Sequence, residues 1–232
     1  METKELIKIS GLSKHFPVGG GKFTALKGIE LGFNEGEFAG LVGPSGSGKT
    51  TLLNIIGSLD TPSEGEAVVL GRNIGKLSAH ESARLRKHEL GFIFQTYNLL
   101  PVYTVYENVE FPLLLLNMTA GERKKAVTDA LEWVGLSSKI KSKPAQLSGG
   151  ECQRVAIARA MVKKPKLVLA DEPTANLDAE NSHHILQTME KLNRDLNTTF
   201  LFATHDEKVI KYLKRKISLS DGMVAKDEFI SK

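Results

Sequence analysis

Phe38-Ala39-Gly40-Leu41-Val42-Gly43-Pro44-Ser45-Gly46-Ser47-Gly48-Lys49-Thr50-Thr51 is the stretch that decides the fold. It opens as a short apolar run ending in Gly43, the pattern of a buried strand feeding a loop. Gly43 to Thr50 then match G-x-x-x-x-G-K-[ST], and Leu52, Leu53, Ile55 and Ile56 follow at helical spacing, which predicts a helix over 50–59. Strand, glycine loop and helix in that order form a phosphate cradle. Glycines let backbone N–H groups wrap the phosphates, and the helix N-terminus adds a favourable dipole. Lys49 would reach the terminal phosphates, and the Thr50 hydroxyl can ligate Mg²⁺.

Upstream of this stretch the text reads as strands. Leu6-Ile7-Lys8-Ile9 alternates, Gly19-Gly20-Gly21 marks a turn, and 24–33 carries a second strand pattern, so an N-terminal antiparallel sheet is expected. Downstream come a turn at Pro62-Ser63-Glu64-Gly65, a strand over 66–70 and a charged helix over 78–87. From Tyr103 to Val162 the pattern is mostly helical, with Thr119 and Ser148 each opening a segment. Strand text returns at Leu167-Val168-Leu169-Ala170 and at 199–203, with a helix over 179–196 between them. The expected organisation is an α/β core, 1–96 and 164–232, split by a helical lobe, 97–163.

Composition agrees with such a chain. Its 232 residues are 41% hydrophobic and 25% charged, enough for one sizeable core and far from the signature of disorder. Cys152 is the sole cysteine, so no internal disulfide is possible and a reducing compartment is expected. The longest apolar run, Phe111 to Leu116, falls well short of the roughly 18–20 residues that span a bilayer. METKELIKIS lacks the layout of a signal peptide, so export is not expected. The net charge of +4 is mild, and the basic runs Lys139–Lys143 and Lys208–Lys216 read as solvated faces. With only 6% aromatic residues the chain lacks a nucleic-acid footprint, and no nucleic-acid partner is expected.

Two further motifs carry chemistry. Leu167-Val168-Leu169-Ala170-Asp171-Glu172 is an apolar strand ending in two acids, and the carboxyl end of a parallel strand is where an α/β sheet places groups around a ligand. Asp171 can hold the Mg²⁺ shell and Glu172 can activate water. Leu147-Ser148-Gly149-Gly150-Glu151 precedes a helix, offering a second set of backbone donors, while Ser148 and Glu151 also satisfy the capping-box rule.

With these strings in view the chain resembles the ATP-binding cassette subunit of an ABC transporter over essentially all of its length. LSGGE followed by QRVAIARA is the most specific element, since many nucleotide hydrolases share the phosphate loop. The resemblance implies a P-loop NTPase (RecA-like) α/β core with an N-terminal antiparallel β subdomain and an inserted α-helical subdomain. It implies an ATP hydrolase using ATP and Mg²⁺, in which the signature Leu147 to Glu151 contacts nucleotide held by the opposite subunit of a homodimer. Gln95, in Gly91-Phe92-Ile93-Phe94-Gln95, matches the Q-loop glutamine that reaches Mg²⁺ or the attacking water. Asp178, in Ala175-Asn176-Leu177-Asp178, matches the D-loop, and His205 matches the switch histidine that touches the γ-phosphate. Phe16 falls where the family usually has a tyrosine that stacks on adenine, so stacking is kept and the hydroxyl lost. Cys152 stands where a long polar residue is usual.

The text from Leu85 to Pro101 and from Tyr103 to Val109 is similar to the lipoprotein-releasing and macrolide-efflux type ATPases, which work with integral-membrane permeases. Cell-division ATPases of the same branch share much of it, leaving mechanical signalling through a membrane partner as the alternative to transport. Either way the chain is expected in the cytoplasm, peripheral on the inner face of the membrane. Soluble cassettes of DNA repair or translation fit less well, for the chain has neither an inserted long coiled coil nor a second cassette.

Overall fold

The computed structural model describes residues 4–230. A long hairpin comes first, β1 (Glu5–Val18) and β2 (Gly21–Asn34), closed by Gly19 and Gly20, which both take positive φ. Such a two-residue turn matches the natural twist of the strands it joins. Its tightness fixes the register outward, pairing Val18 with Gly21, Pro17 with Lys22 and Phe16 with Phe23. With β4 (Glu64–Val69) and the short β5 (Arg72–Asn73) the hairpin forms an antiparallel sheet in the order β2-β1-β4-β5.

The central sheet is built from β3 (Phe38–Val42), β6 (Leu90–Ile93), β7 (Leu167–Asp171), β8 (Thr199–Thr204), β9 (Arg215–Ser220) and β10 (Met223–Phe229), in the order β10-β9-β3-β8-β7-β6. All neighbours pair in parallel except β10, which closes one edge antiparallel to β9. Alternation splits the core between two faces, as period-2 side chains must. Phe200 and Phe202 of β8, with Val168 and Ala170 of β7, face the helices, while Leu201, Ala203, Leu167 and Leu169 face the antiparallel sheet and α1 (Lys49–Ile56). Both faces are covered, which is why these strands read as unbroken apolar runs.

Between β6 and β7 lie α3 (Val105–Glu110), α4 (Ala120–Trp133) and α5 (Gly149–Met161), while α2 (Ala79–Glu89) precedes β6. Ser78, Thr104, Thr119 and Ser148 each cap their helix through a reciprocal pair with the glutamate three residues on. α6 (Ala179–Leu196) spans the expected range, and α7 (Glu207–Ile210) is a single turn.

Several boundaries move from the sequence reading. α1 stops at Ile56 instead of Leu59, because Gly57 ends it and Ser58 turns left-handed at φ 53°. The turn at 62–65 is shorter than read, since β4 begins at Glu64, which already pairs with Ser13 of β1. The strands β6, β9 and β10 went unread. β6 is four residues with an internal glycine, and β10 is a polar edge strand. β9 begins inside a basic run read as solvated, yet Arg215 is only 7% exposed. Its guanidinium pairs with Asp227 at 2.6 Å and Glu37 at 2.9 Å and lies over the rings of Phe33 and Phe229. Among the described residues no helix is long and apolar enough to cross a membrane.

Candidate active site

Parallel pairing places the carboxyl ends of β3, β6, β7 and β8 along one edge, and the loops that leave them meet there. Their residues line one cavity of about 470 Å³: Ser45, Gly46, Gly48, Lys49, Thr50 and Thr51 after β3, Gln95 after β6, Glu172 after β7 and His205 after β8. Phe16, Phe23 and Ala25 of the antiparallel sheet close its far side.

The loop after β3 has the shape of an anion cradle. A Cβ on Gly43 would stand 2.2 Å from the Leu219 carbonyl oxygen, and one on Gly48, at φ 99°, would stand 2.8 Å from the Ala25 carbonyl oxygen. No other residue could hold the backbone so close to its neighbours. Among the described residues the buried Ser47 hydroxyl has no hydrogen-bond partner. Lys49, buried at the first turn of α1, donates to the carbonyls of Gly43 (2.7 Å) and Pro44 (2.9 Å). Its ammonium therefore lies folded against the loop that would carry phosphate, and Gly46 leaves open space beside it. Pro44 is exposed and does not line the cavity.

The Thr50 hydroxyl donates to Asp171 Oδ1 at 3.2 Å. Burial pushes the Asp171 carboxyl above its ordinary range, and the neighbouring Glu172 adds to the shift, while Thr50 and Lys49 oppose it. A hydroxyl and a carboxylate side by side are hard oxygen donors of the kind Mg²⁺ takes. Among the described residues no cluster of three or more His, Cys, Asp or Glu side chains forms a metal cage. That fits an ion held by one or two side chains together with phosphate oxygens and water.

Glu172 sits at φ 44° with its N–H on the Ala203 carbonyl at 2.9 Å. One carboxylate oxygen accepts from Thr204 Oγ1 at 2.9 Å, and the other lies 2.6 Å from His205 Nδ1. A carboxylate only accepts, so the ring carries its proton on Nδ1 in this contact. Gln95 is exposed, and its carbonyl accepts from the Asn176 amide at 2.9 Å, joining the loops after β6 and β7.

None of Leu147, Ser148, Gly149, Gly150 or Glu151 lines this cavity. Ser148 caps α5, accepting from the Glu151 N–H at 3.2 Å, and the Glu151 carboxylate accepts from the Ser148 N–H at 2.8 Å. A Cβ on Gly150 would meet Asn181 Oδ1 at 2.3 Å, so its lack of a side chain is needed for packing on α6. Ser148 and Gly149 stay exposed, outside the lining of the chain's own cradle. Asp178 caps α6, accepting from the Asn181 N–H at 2.8 Å. That bond holds its carboxyl below the ordinary range. Cys152 is buried, its thiol pushed up by desolvation, and so is a quiet packing residue.

Phe16 is half-buried, and the Lys14 ammonium lies 5.1 Å from its ring centre, locked there by Asp60 Oδ1 at 2.5 Å and the Thr61 carbonyl at 2.8 Å. Phe23, directly across the hairpin, and Ala25 are the cavity residues that sequence reasoning missed. The Gly19-Gly20 turn was the available signal, since a two-residue turn there sets 16 opposite 23.

A family model described as ABC transporter matches residues 26–175. The lipoprotein-releasing system ATP-binding protein LolD of Pseudoalteromonas translucida (strain TAC 125) is 45% identical over 217 residues, 94% of each chain. The dimeric post-hydrolysis structure of the ATP-binding cassette MJ0796 bound to ADP and Pi superposes with a TM-score of 0.90 at 40% identity. It covers 98% of this chain and 100% of that one. cbiO1 from Clostridium perfringens, part of the ABC transporter complex cbiONQ, gives a TM-score of 0.89 at 29% identity over 97% and 89% of the two chains. With that family's phosphate loop, strand-end acids and signature all present in one fold, the chain belongs to the ABC transporter family as an ATP-binding, ATP-hydrolysing subunit.

Proposed function

We propose that the chain hydrolyses MgATP in a head-to-tail homodimer and thereby drives an integral-membrane permease of the lipoprotein-releasing or macrolide-efflux type. The observation that carries the dimer is the split between the two cradles. Lys49, Thr50, Gln95, Glu172 and His205 share one cavity, whereas Ser148, Gly149 and Gly150 line no part of it, and the exposed Ser148 and Gly149 are open to a nucleotide held by a second copy. A twofold axis then makes two equivalent sites.

In each site Gly43 to Thr51 wrap the phosphates, Lys49 leaves the loop carbonyls for the β- and γ-phosphates, and Phe16 stacks on the base. Mg²⁺, when bound, neutralises charge on the transferring phosphoryl group, with Thr50, Asp171 and Gln95 as its protein neighbours. Glu172 accepts a proton from the attacking water as its oxygen bonds to the γ-phosphorus and the bond to the leaving ADP oxygen breaks. His205 exchanges its hold on Glu172 for the γ-phosphate, and Asp178 lies along the dimer interface.

Work is divided between 1–96 with 164–232, which hold nucleotide, and 97–163, which carries the signature. A groove of about 270 Å³ lined by Phe92, Phe94, Phe111, Pro112 and Arg159 lies where the two meet. Leu100, Val102, Leu114 and Leu115 are exposed on the 97–163 lobe. This surface takes a short cytoplasmic helix of the permease, which holds the chain on the inner face of the membrane. The 45% identity to LolD favours release of a lipoprotein-like cargo. Cysteine cross-linking from Leu100 to the permease's cytoplasmic loops tests the docking, and cross-links arising only from the opposite face contradict it. ATP-dependent cargo release by the reconstituted complex separates transport from signalling.

A further inference from the structure

The Glu172 carboxylate has two unequal partners. His205, on one oxygen, is 62% exposed and hangs from a loop. Thr204, on the other, is the last residue of β8 and wholly buried. Its hydroxyl donates to Glu172 Oε2 at 2.9 Å and accepts the Asp206 N–H at 3.0 Å, so its one proton is committed to Glu172. Asp206 is held in turn, with one carboxylate oxygen accepting from Thr174 Oγ1 at 2.7 Å and the other from the Lys208 N–H at 2.9 Å. Thr174 is buried beside Pro173, whose carbonyl accepts from Gln153 Nε2 of α5 at 2.8 Å.

We propose that Thr204 is the positioning residue that aims the Glu172 carboxylate, and that the chain Gln153, Pro173, Thr174, Asp206, Thr204 ties this aim to the helix bearing the chain's own signature. The reading rests on Glu172 as the base. A carboxylate on a flexible side chain held only by an exposed ring would rotate whenever that ring left for the phosphate. Thr204 is the partner that stays: its β-branched side chain in a buried strand has few rotamers, and the Asp206 amide fixes where its proton points. His205 can then exchange partners while Glu172 keeps its orientation, which matters because a misplaced base loses most of its catalytic effect.

The test compares Thr204→Val, Thr204→Ser and Glu172→Gln in the full chain, measuring phosphate release against ATP concentration, ATP affinity, melting temperature and the ATP-dependent dimer by light scattering. Thr204→Val keeps the shape and removes the hydroxyl. It is expected to lower kcat by roughly ten- to a hundredfold, the range for a hydrogen bond to a charged group, with KM within about twofold. It should also accumulate ATP-bound dimer in the presence of Mg²⁺, a readout that simple loss of packing would not produce. Thr204→Ser should restore most of the rate. Wild-type turnover in Thr204→Val beside an inactive Glu172→Gln overturns the positioning role alone. Equal losses in the valine and serine variants overturn it as well, since the hydroxyl is then not the agent. Wild-type turnover in Glu172→Gln removes the base and this proposal together. Should the valine variant fail to fold, Thr204→Ala takes its place, and loss of ATP binding instead of turnover contradicts the proposal.

Discussion

His205 Nδ1 lies 2.6 Å from Glu172 Oε1, although the two residues follow different strands and stand 33 apart in sequence. Adjacent parallel pairing of β7 and β8 makes the contact, since Asp171 pairs with Ala203 and sets the next residues side by side. The same geometry puts Lys49, Thr50 and Gln95 around the same cavity.

Lys49→Ala removes the one ammonium folded into the phosphate loop. Hydrolysis should fall by about 10²–10³-fold or more, as when a preorganised charge partner is lost, and ATP binding should weaken strongly. The fold should stay intact. Phosphate release within twofold of wild type would contradict the cradle's role.

Phe16 and Phe23 line the cavity, and one side of Phe16 is already covered by Lys14. Phe16→Ala should raise the KM for ATP by roughly tenfold with little change in kcat, the usual scale for losing one stacked ring. GTP should be hydrolysed within a few-fold of ATP, because neither ring reads a base edge. Strong discrimination against GTP would show that some other group does.

Asp171 is held above the ordinary carboxylate range by burial and by Glu172. The folded protein therefore binds this proton more tightly than the unfolded chain, and the ionised form lowers stability at neutral pH. Asp171→Asn keeps an acceptor for Thr50 and should raise the melting temperature at pH 7 by a few degrees while abolishing hydrolysis. That gain should disappear as the pH falls through the carboxylate range, where the wild-type group is protonated in both states. A gain independent of pH would contradict the cause given.

Lys163 donates to the carbonyls of Arg86 (2.5 Å) and Lys87 (3.0 Å) at the end of α2, and burial lowers it to about 8. Between that value and the ordinary lysine range the unfolded chain binds the extra proton, so this group makes stability rise with pH across the window. Urea titrations of wild type and Lys163→Met should therefore show a steeper rise in the wild type from about pH 8 to 10. Parallel curves would remove Lys163 as the source.

Much of this was legible because local rules and the global fold agree. The glycine loop lies between a buried strand and a helix, and the helices read as opening at Thr119 and Ser148 do open there on capping boxes. β9 was hidden because Arg215 is made compatible with burial by Asp227, Glu37 and two aromatic rings, partners distant in sequence. Phe23 was hidden for a related reason: an exposed phenylalanine acquires meaning only once the register sets it against Phe16. Thr204 carries no signal of its own in the sequence, because its hydroxyl meets Glu172 only through the pairing of β7 with β8.

The shared-site claim is tested most directly by size-exclusion chromatography with light scattering on Glu172→Gln, with and without ATP and with Mg²⁺ omitted to slow residual hydrolysis. Replacing the carboxylate by an amide keeps the shape, removes the proton acceptor and lowers negative charge beside the γ-phosphate, which favours closure. Adding ATP should shift the mass from one chain of 25.4 kDa to twice that, with two ATP molecules per dimer. An inactive variant that binds ATP and remains a single chain at high protein concentration would contradict it.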